Sequence, residues 1–425
     1  MKLRFKKHSQ VGWLLMYIFA LPFAFSFLID LLHIPSSIKY TIDFALVLLL
    51  LLMNMNNRHL DFSKIEGILQ SIGFFLLITI IGFVLEYKSI VYYVWGLRNN
   101  IRFFLFFVAC ALMMKREDAD SCMQLMDNLF YINAIVSLYQ VFVLRVHQDH
   151  VGGIFGSTRG CNAYTNIYFI IIAAWHMLRY VNKEETLARL LIKCGVALVI
   201  AAFAELKIFF LEFALITIIV LVITKFSMRK FWIITGAIAG VNIGVQLIAI
   251  LFPHFVDWFN VDKIIEYASS EAGYSAARDM NRLTAISISW NRFLVTWQQK
   301  MFGLGLGNCD YSSNFAFLTT PFYEKYRHLN YIWFSTSFLF LETGILGLAT
   351  YVYFFVCVYR GAKKVEQEGK MNIVYCQLAR VAALMAPLLI IYNSSLRMEC
   401  AYMFFFVLAL PFIQQPSENE KKINK

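Results

Sequence analysis

Runs of apolar residues follow one another along most of this chain, separated by short polar or charged segments. A helix needs about 20 predominantly apolar residues to cross the hydrocarbon core of a bilayer, and runs from about 18 upward qualify. Shorter runs also qualify where charges flank both ends. Twelve runs result, near 11–32, 39–55, 67–85, 99–114, 127–145, 164–181, 188–204, 207–224, 231–252, 330–359, 374–392 and 398–414. The pattern predicts an all-α, polytopic membrane protein of about 12 transmembrane helices, forming one integral domain over 1–425. The one long polar stretch between runs is 253–329, so chemistry on a water-soluble group is expected there.

Composition agrees with that pattern. At 60% hydrophobic and 15% charged residues, the chain is far from a soluble globular mix. The first run follows the basic start MKLRFKKH but spans fully and lacks a small-residue cleavage site, which reads as a retained helix. The net charge of +11 would suggest a nucleic-acid partner on a soluble domain. Here the lysines and arginines concentrate in alternate short loops, 21 against 7, as the positive-inside rule requires when both termini lie in the cytoplasm. That topology puts 253–329 outside the cell membrane and removes the argument for nucleic acid. The 8 cysteines include no C-x-x-C pair and no zinc-like spacing, so neither a metal nor a cofactor is expected. Cys161 and Cys309 fall on the outer side, and the sequence leaves open whether they pair.

Two outer segments carry unusual chemistry. HQDHVGGIFGSTRGCNAYTN joins Gly152, Gly153, Gly156 and Gly160 to Arg159 and Asn162. Such a run either exposes backbone N–H groups in a nest beside a guanidinium, suited to an anionic head group, or is an ordinary flexible loop. AELKIFFLEF is a tight turn in which Glu205 and Glu212, seven apart, share a face if the helix is continuous, with Lys207 elsewhere. Ionisable groups within a bilayer are costly and normally face a partner or a wet cavity. Snorkelling to the interface is the alternative for Glu205 and Lys207, but it explains Glu212 poorly. Arg102, Arg380 and Glu399 are read as structurally paired charges.

The polar stretch divides into three. Its first part, 261–282, is charged and includes Arg278 and Arg282. Its second, 283–301, spaces Ile286, Trp290, Phe293, Leu294 and Trp297 as an amphipathic interfacial helix would. FGLGLGNCDYSS follows, where Gly303, Gly305 and Gly307 before Asn308 would let the backbone approach a ligand closely. No strand precedes these glycines, which rules out a dinucleotide fold. In the third part His328 and Asn330 stand at the mouth of the tenth run, with Glu342 and Gly344 inside it. On one helix His328 and Glu342 would share a face, about 21 Å apart. A lone interfacial His is usually structural, and nearby Arg278, Arg282, Arg292 and Arg327 weigh against that reading.

MNRLTAISISW, FGLGLGNCDYSS and RHLNYIWFSTSFLFLETGILGL resemble the O-antigen polymerase and O-antigen ligase superfamily, specifically a Wzy-type capsular or exopolysaccharide polymerase. The recurrent signature is a basic residue before a Gly-rich turn, then His or Asn at a helix start with Glu-x-Gly-x-x-Gly-Leu. Arg282, the turn from Gly303 to Asn308, His328, and Glu342 with Gly344, Gly347 and Leu348 match it. Lys207 departs from it: ligase-like members usually carry Arg there, and Lys lacks the bidentate fork.

The resemblance implies a class C glycosyltransferase-like helical fold, a sugar donor on undecaprenyl diphosphate, and transfer to a lipid-linked acceptor at the outer face of the bacterial plasma membrane. It implies no cofactor, and a flippase and a chain-length regulator as partners. Arg282 would bind diphosphate with Arg278 and Arg159, and His328 would act as general base or align the acceptor hydroxyl. Lys207, Glu212, Asn308, Asn330 and Glu342 would complete the substrate site. Two other readings stay open. One is an O-antigen-ligase-type glycan transferase with a different acceptor. The other is a lipid-linked oligosaccharide flippase or secondary transporter, against which the seven prolines count because they form no corresponding pairs in two halves.

Overall fold

The computed structural model describes residues 9–55, 60–158, 160–225, 227–251, 279–369 and 371–414, the side chains of 248 and 251 excepted. Among these residues the fold is helical throughout, and the only β-type pairing is an isolated bridge between Lys115 and Gln414. Twelve principal helices coincide with the twelve apolar runs. They are α1 (Gln10–Leu31), α2 (Ser36–Met55), α3 (Phe62–Leu85), α4 (Ile90–Met113), α5 (Arg116–Phe142) and α6 (Cys161–Val181). The rest are α7 (Leu187–Phe203), α8 (Lys207–Ile223), α9 (Arg229–Leu251), α10 (Ser335–Glu368), α11 (Ile373–Tyr392) and α12 (Ala401–Phe412). Seven of them, α1 to α4 and α9 to α11, are long and apolar enough to cross a membrane. Of the others, α7, α8 and α12 are shorter, while α5 and α6 carry polar residues along their length.

Large apolar side chains cover much of the outside, among them Phe44 on α2, Val84 on α3, Ile135 on α5 and Ile238 on α9. That is the surface a lipid solvent favours. The interior helices are α6 and α12, both buried nearly along their full length. Lipid tails are as apolar as leucine, so helix association must come from tight packing and interhelical polar ties. Both are present. Phe104 of α4 meets Phe75, Tyr351, Phe354 and Phe405 with ring centroids 4.7 to 5.8 Å away. Arg380 of α11 bonds Glu366 and, at 3.2 Å, the Tyr359 hydroxyl of α10, so its expected pairing is found. A third tie joins α5, α6 and α7: Asp127 takes Lys193 at 2.6 Å and His176 at 3.0 Å, while His176 meets Glu185 at 2.7 Å.

Between α9 and α10 the structure differs from the helix-period expectation. The run 283–301 does not form one interfacial helix. It forms Ala285–Ile288, continuing as a π turn to Phe293, and then leaves helical geometry at Leu294 (φ −94°, ψ 81°). Thr296 then restarts the chain as Trp297–Phe302, with a reciprocal cap between Thr296 and Gln299. The capping box satisfies orphan N–H groups at a point where apolar spacing alone would continue the helix.

His328 and Glu342 do not lie on one helix either. Arg327–Leu329 is a 3₁₀ turn, Asn330 is left-handed at φ 55°, and α10 starts only at Ser335. Glu205 likewise occupies a turn at φ 50° between α7 and α8, so Glu205 and Glu212 are not on a continuous helix.

The alternate glycines are used for packing against backbone. Gly344, at φ 64° and ψ −168°, interrupts α10. A Cβ on Gly303 would overlap the Glu342 carbonyl and one on Gly344 the Met301 carbonyl, so turn and kink interlock. The Leu304 N–H donates to the Leu341 carbonyl at 2.7 Å, which recovers an acceptor the kink releases. On the other side Gly307, at φ 83°, sits where a Cβ would overlap the Tyr92 carbonyl oxygen of α4. These glycines bring backbone to backbone, and the expectation of close approach to a ligand is replaced by this role.

Candidate functional site

The interlocked turn holds Asp310 in the wall of an open cavity of about 620 Å³. Its other walls come from the starts of α2, α4 and α6, the turn between α7 and α8, residues 332–334, and the segment between α11 and α12. The loops among them are segments that the charge pattern of the sequence assigns to the outer side, and Arg102 lies midway along α4. Five basic residues line it, Lys39, Arg98, Arg102, Arg282 and Arg397, with four carboxylates, Asp149, Glu205, Asp310 and Glu399. Arg98 and Arg102 reach it together because residues four apart share a helix face.

The basic groups differ in what already occupies them. Arg98 donates from Nε to Asp43 at 3.1 Å and from Nη1 to Asn99 at 2.7 Å, with its guanidinium over Trp95 and Tyr40. Arg102 makes only long contacts, 3.5 Å to Glu399 and 3.4 Å to the Arg397 carbonyl, and its buried Nε has no partner among the described residues. Arg282 donates from Nε to the Tyr392 carbonyl at 3.1 Å and lies 4.2 Å from the centre of that residue's ring. Arg397 packs over Phe338 and makes no ion pair among the described residues. Among the described residues Arg102 is thus held in polar contact only at long range, and Arg397 by ring packing.

The carboxylates also differ. Burial opposes ionisation of Glu399, but Arg102, Lys39 and the Tyr164 hydroxyl at 2.8 Å outweigh it and hold the carboxyl down to about 2. Burial pushes Glu205 up, with Lys207 opposing. Asp310 is 5% exposed and takes one donor on each oxygen, Asn99 Nδ2 at 2.7 Å on Oδ2 and the Tyr311 N–H at 2.8 Å on Oδ1. Burial pushes this carboxyl up too, against Arg397. Asp149 is exposed and accepts from Asn162 at 3.0 Å.

An apolar groove of about 730 Å³ adjoins the cavity between α2, α4 and residues 315–318. Phe44, Ile90, Val91 and Val94 line it, and Tyr40, Trp95 and Arg98 belong to both spaces. An open cavity lined by charges of both signs and an apolar groove therefore meet at the Arg98 guanidinium.

Of the residues singled out from the sequence, Arg282 lines the cavity. Glu212 is buried behind it and accepts from the lining residue Asn166 at 3.2 Å. Glu342 is also buried behind it, accepting from the Cys309 N–H at 3.0 Å beside Asp310. Lys207 is outside the lining although Glu205, Leu206 and Ile208 are in it. Asn308 spends its amide on the Leu304 and Glu86 carbonyls, closing the glycine turn. Asn330 donates to Asp279 at 2.8 Å. His328 is exposed and outside the lining, on the 3₁₀ turn that separates it from α10. Arg159, Arg278 and the part 253–278 of the long polar stretch lie outside the described residues.

The glycine loop after α5 is not an open anion nest. Gln140 bonds the Gly153 N–H and the Gly153 and Gly156 carbonyls, and Asn133 takes the Ile154 N–H at 3.0 Å. Cys161 and Cys309 are both free and buried. Sequence reasoning gave no site role to Arg397, Arg98, Lys39 or Asp310. The available signals were the i, i+4 pair Arg98 and Arg102, and an aspartate directly after the glycine turn. No protein-family model matches this chain, and no curated protein matches it.

Proposed function

We propose that the protein is a membrane glycosyltransferase that polymerises oligosaccharide repeat units carried on undecaprenyl diphosphate, during synthesis of a surface polysaccharide. The observation that supports this reading is the junction of an arginine-lined cavity, which also holds four carboxylates, with an apolar groove at Arg98, Trp95 and Tyr40. A lipid diphosphate carrying a glycan has that same sequence of chemistry: isoprenoid chain, two phosphates, sugars. The groove takes the chain, Arg102, Arg282 and Arg397 take the phosphates, and the open cavity takes donor and acceptor sugars.

In this reading all twelve helices cross the membrane, both termini are cytoplasmic and 253–329 is extracytoplasmic. Transfer breaks the bond between the anomeric carbon and the diphosphate, whose charge grows as it departs. Guanidinium groups fixed in the cavity wall stabilise that charge without reorganising, which is usually the largest contribution a protein site makes to such a step. The next lipid-linked unit supplies the acceptor hydroxyl, and a flippase and a chain-length regulator are the expected partners.

Deleting the gene and resolving the cell's lipid-linked glycans by size tests this. Accumulation of single repeat units supports polymerisation. Long polymer that is made but left unattached would replace it with the ligase reading. A loss of lipid-linked units from the outer leaflet would replace it with the flippase reading.

A further inference from the structure

We propose that Asp310 is the general base of the transfer, taking the proton from the acceptor hydroxyl; this rests on the polymerase reading above. Four carboxylates line the cavity, and their surroundings separate them. Glu399 is committed to Arg102 and the Tyr164 hydroxyl. Asp149 is exposed on a loop and committed to Asn162. Glu205 sits at a turn with its Oε1 unbonded among the described residues, and nothing fixes its aim. Asp310 alone of the four is both buried and held by one neutral donor on each oxygen, from Asn99 and the Tyr311 N–H. A carboxylate oxygen accepts two hydrogen bonds, so each keeps a lone pair for a hydroxyl proton.

The position is braced from both sides. The Asp310 carbonyl accepts from the Thr320 N–H at 3.1 Å and the Thr320 hydroxyl at 2.9 Å, and the turn before it is locked between α4 and α10. No cation forms an ion pair with the Asp310 carboxylate among the described residues. The charged and titratable groups around it are Arg397 from the segment after α11, Arg102 of α4, Glu342 of α10, Cys309, Tyr311 and Tyr331. The arginines keep the carboxylate available at neutral pH, while burial keeps it basic enough to take a proton.

The step balances as a single displacement. The acceptor oxygen bonds to the anomeric carbon of the donor as its proton passes to Asp310. The carbon–oxygen bond to the diphosphate breaks, and its electron pair leaves on the phosphate oxygen. Products are the extended glycan on the acceptor's carrier, free polyprenyl diphosphate, and a protonated Asp310 that returns its proton to water in the open cavity.

The test uses the purified full chain in lipid nanodiscs with a synthetic undecaprenyl-diphosphate-linked repeat unit, following chain growth by mass spectrometry. D310N should lower kcat by about 10²- to 10⁴-fold while binding the lipid donor within about twofold of wild type. D310E should recover part of the rate, and supplies the same reading if D310N does not accumulate. Wild-type rate should rise with pH through a pKa above the ordinary aspartate range, and D310N should lose that limb. Wild-type-like growth by D310N, or its loss in E205Q instead, overturns the role of Asp310 and leaves the polymerase intact. Absence of growth by monodisperse wild-type protein overturns the polymerase reading itself.

Discussion

Arg102 of α4 and Glu399, 297 positions later, meet at 3.5 Å in the cavity wall, with Arg102 6% and Glu399 15% exposed. The pair ties α4 to the segment before α12, and it has a pH signature. The folded Glu399 carboxyl sits at about 2, below an unfolded glutamate near 4.3. Its stabilisation is therefore complete above the unfolded value and is lost as pH falls through about 2. At neutral pH the shift corresponds to about 3 kcal/mol. Glu399→Gln should lower the thermal midpoint in detergent at pH 7, and the gap from wild type should close between about pH 4 and 2. A gap that stays constant with pH would show that the charge of Glu399, set among Arg102, Lys39 and the Tyr164 hydroxyl, contributes nothing electrostatically.

The interlock of Gly303 and Gly344 makes a second prediction. A side chain at either place requires two backbones to separate at a positive φ. Overpacking and left-handed strain each cost about 1–3 kcal/mol. Gly303→Ala and Gly344→Ala should each reduce the yield of monodisperse protein, whereas Gly73→Ala, which meets nothing within 4 Å on α3, should not. Equal yields for all three would contradict the packing role given to the glycine turn.

These glycines also show where sequence reasoning stopped. The twelve helices were legible as apolar runs, and seven of them have the length and apolar character a crossing demands. Arg380 could be read as a paired charge, and it is paired with Glu366. The breaks were not legible from period alone. Leu294 and Thr296 end one helix and start another by capping, and Asn330 turns by a left-handed residue, so faces counted across 283–301 or 328–342 did not survive. The site was harder still. Arg282 carried a motif, but Asp310 and Arg397 became neighbours only through the fold, 87 positions apart. Asp127, His176 and Lys193 went unnoticed because each is a single polar residue in its own run, and only the packing of α5, α6 and α7 joins them.

That inner tie gives a third prediction. Lys193 is fully buried, with its ammonium 2.6 Å from Asp127 and 2.7 Å from the same residue's carbonyl. Without Lys193, Asp127 keeps Arg189 and His176, so its buried charge is only partly uncompensated and the loss should fall below the about 3–5 kcal/mol of a fully broken buried pair. Lys193→Met should unfold at a markedly lower temperature, and Lys193→Met with Asp127→Asn should recover part of the loss. The double variant separates charge pairing from packing: no recovery would mean that the side-chain volume of Lys193 is what matters.

The last prediction sets Arg282 against His328. Both belong to the motif on which the resemblance to polysaccharide polymerases rests, yet the structure treats them differently. Arg282 lines the cavity, anchored by the Tyr392 carbonyl and stacked on its ring, so its guanidinium is oriented as well as charged. His328 is exposed on a turn that ends at left-handed Asn330, and no lining position is adjacent to it. Arg282→Ala should therefore abolish long polymer while the protein still inserts. Arg282→Lys should recover little, because a point charge loses the fork that spans two phosphate oxygens. His328→Ala should leave chain length within about twofold of wild type, since exposed surface substitutions change stability by only about 0.5 kcal/mol. The size distribution of glycan from complemented deletion cells reads all three. Single units from His328→Ala would bring that turn into the mechanism, and the cavity wall would then have to extend to it when substrate is bound.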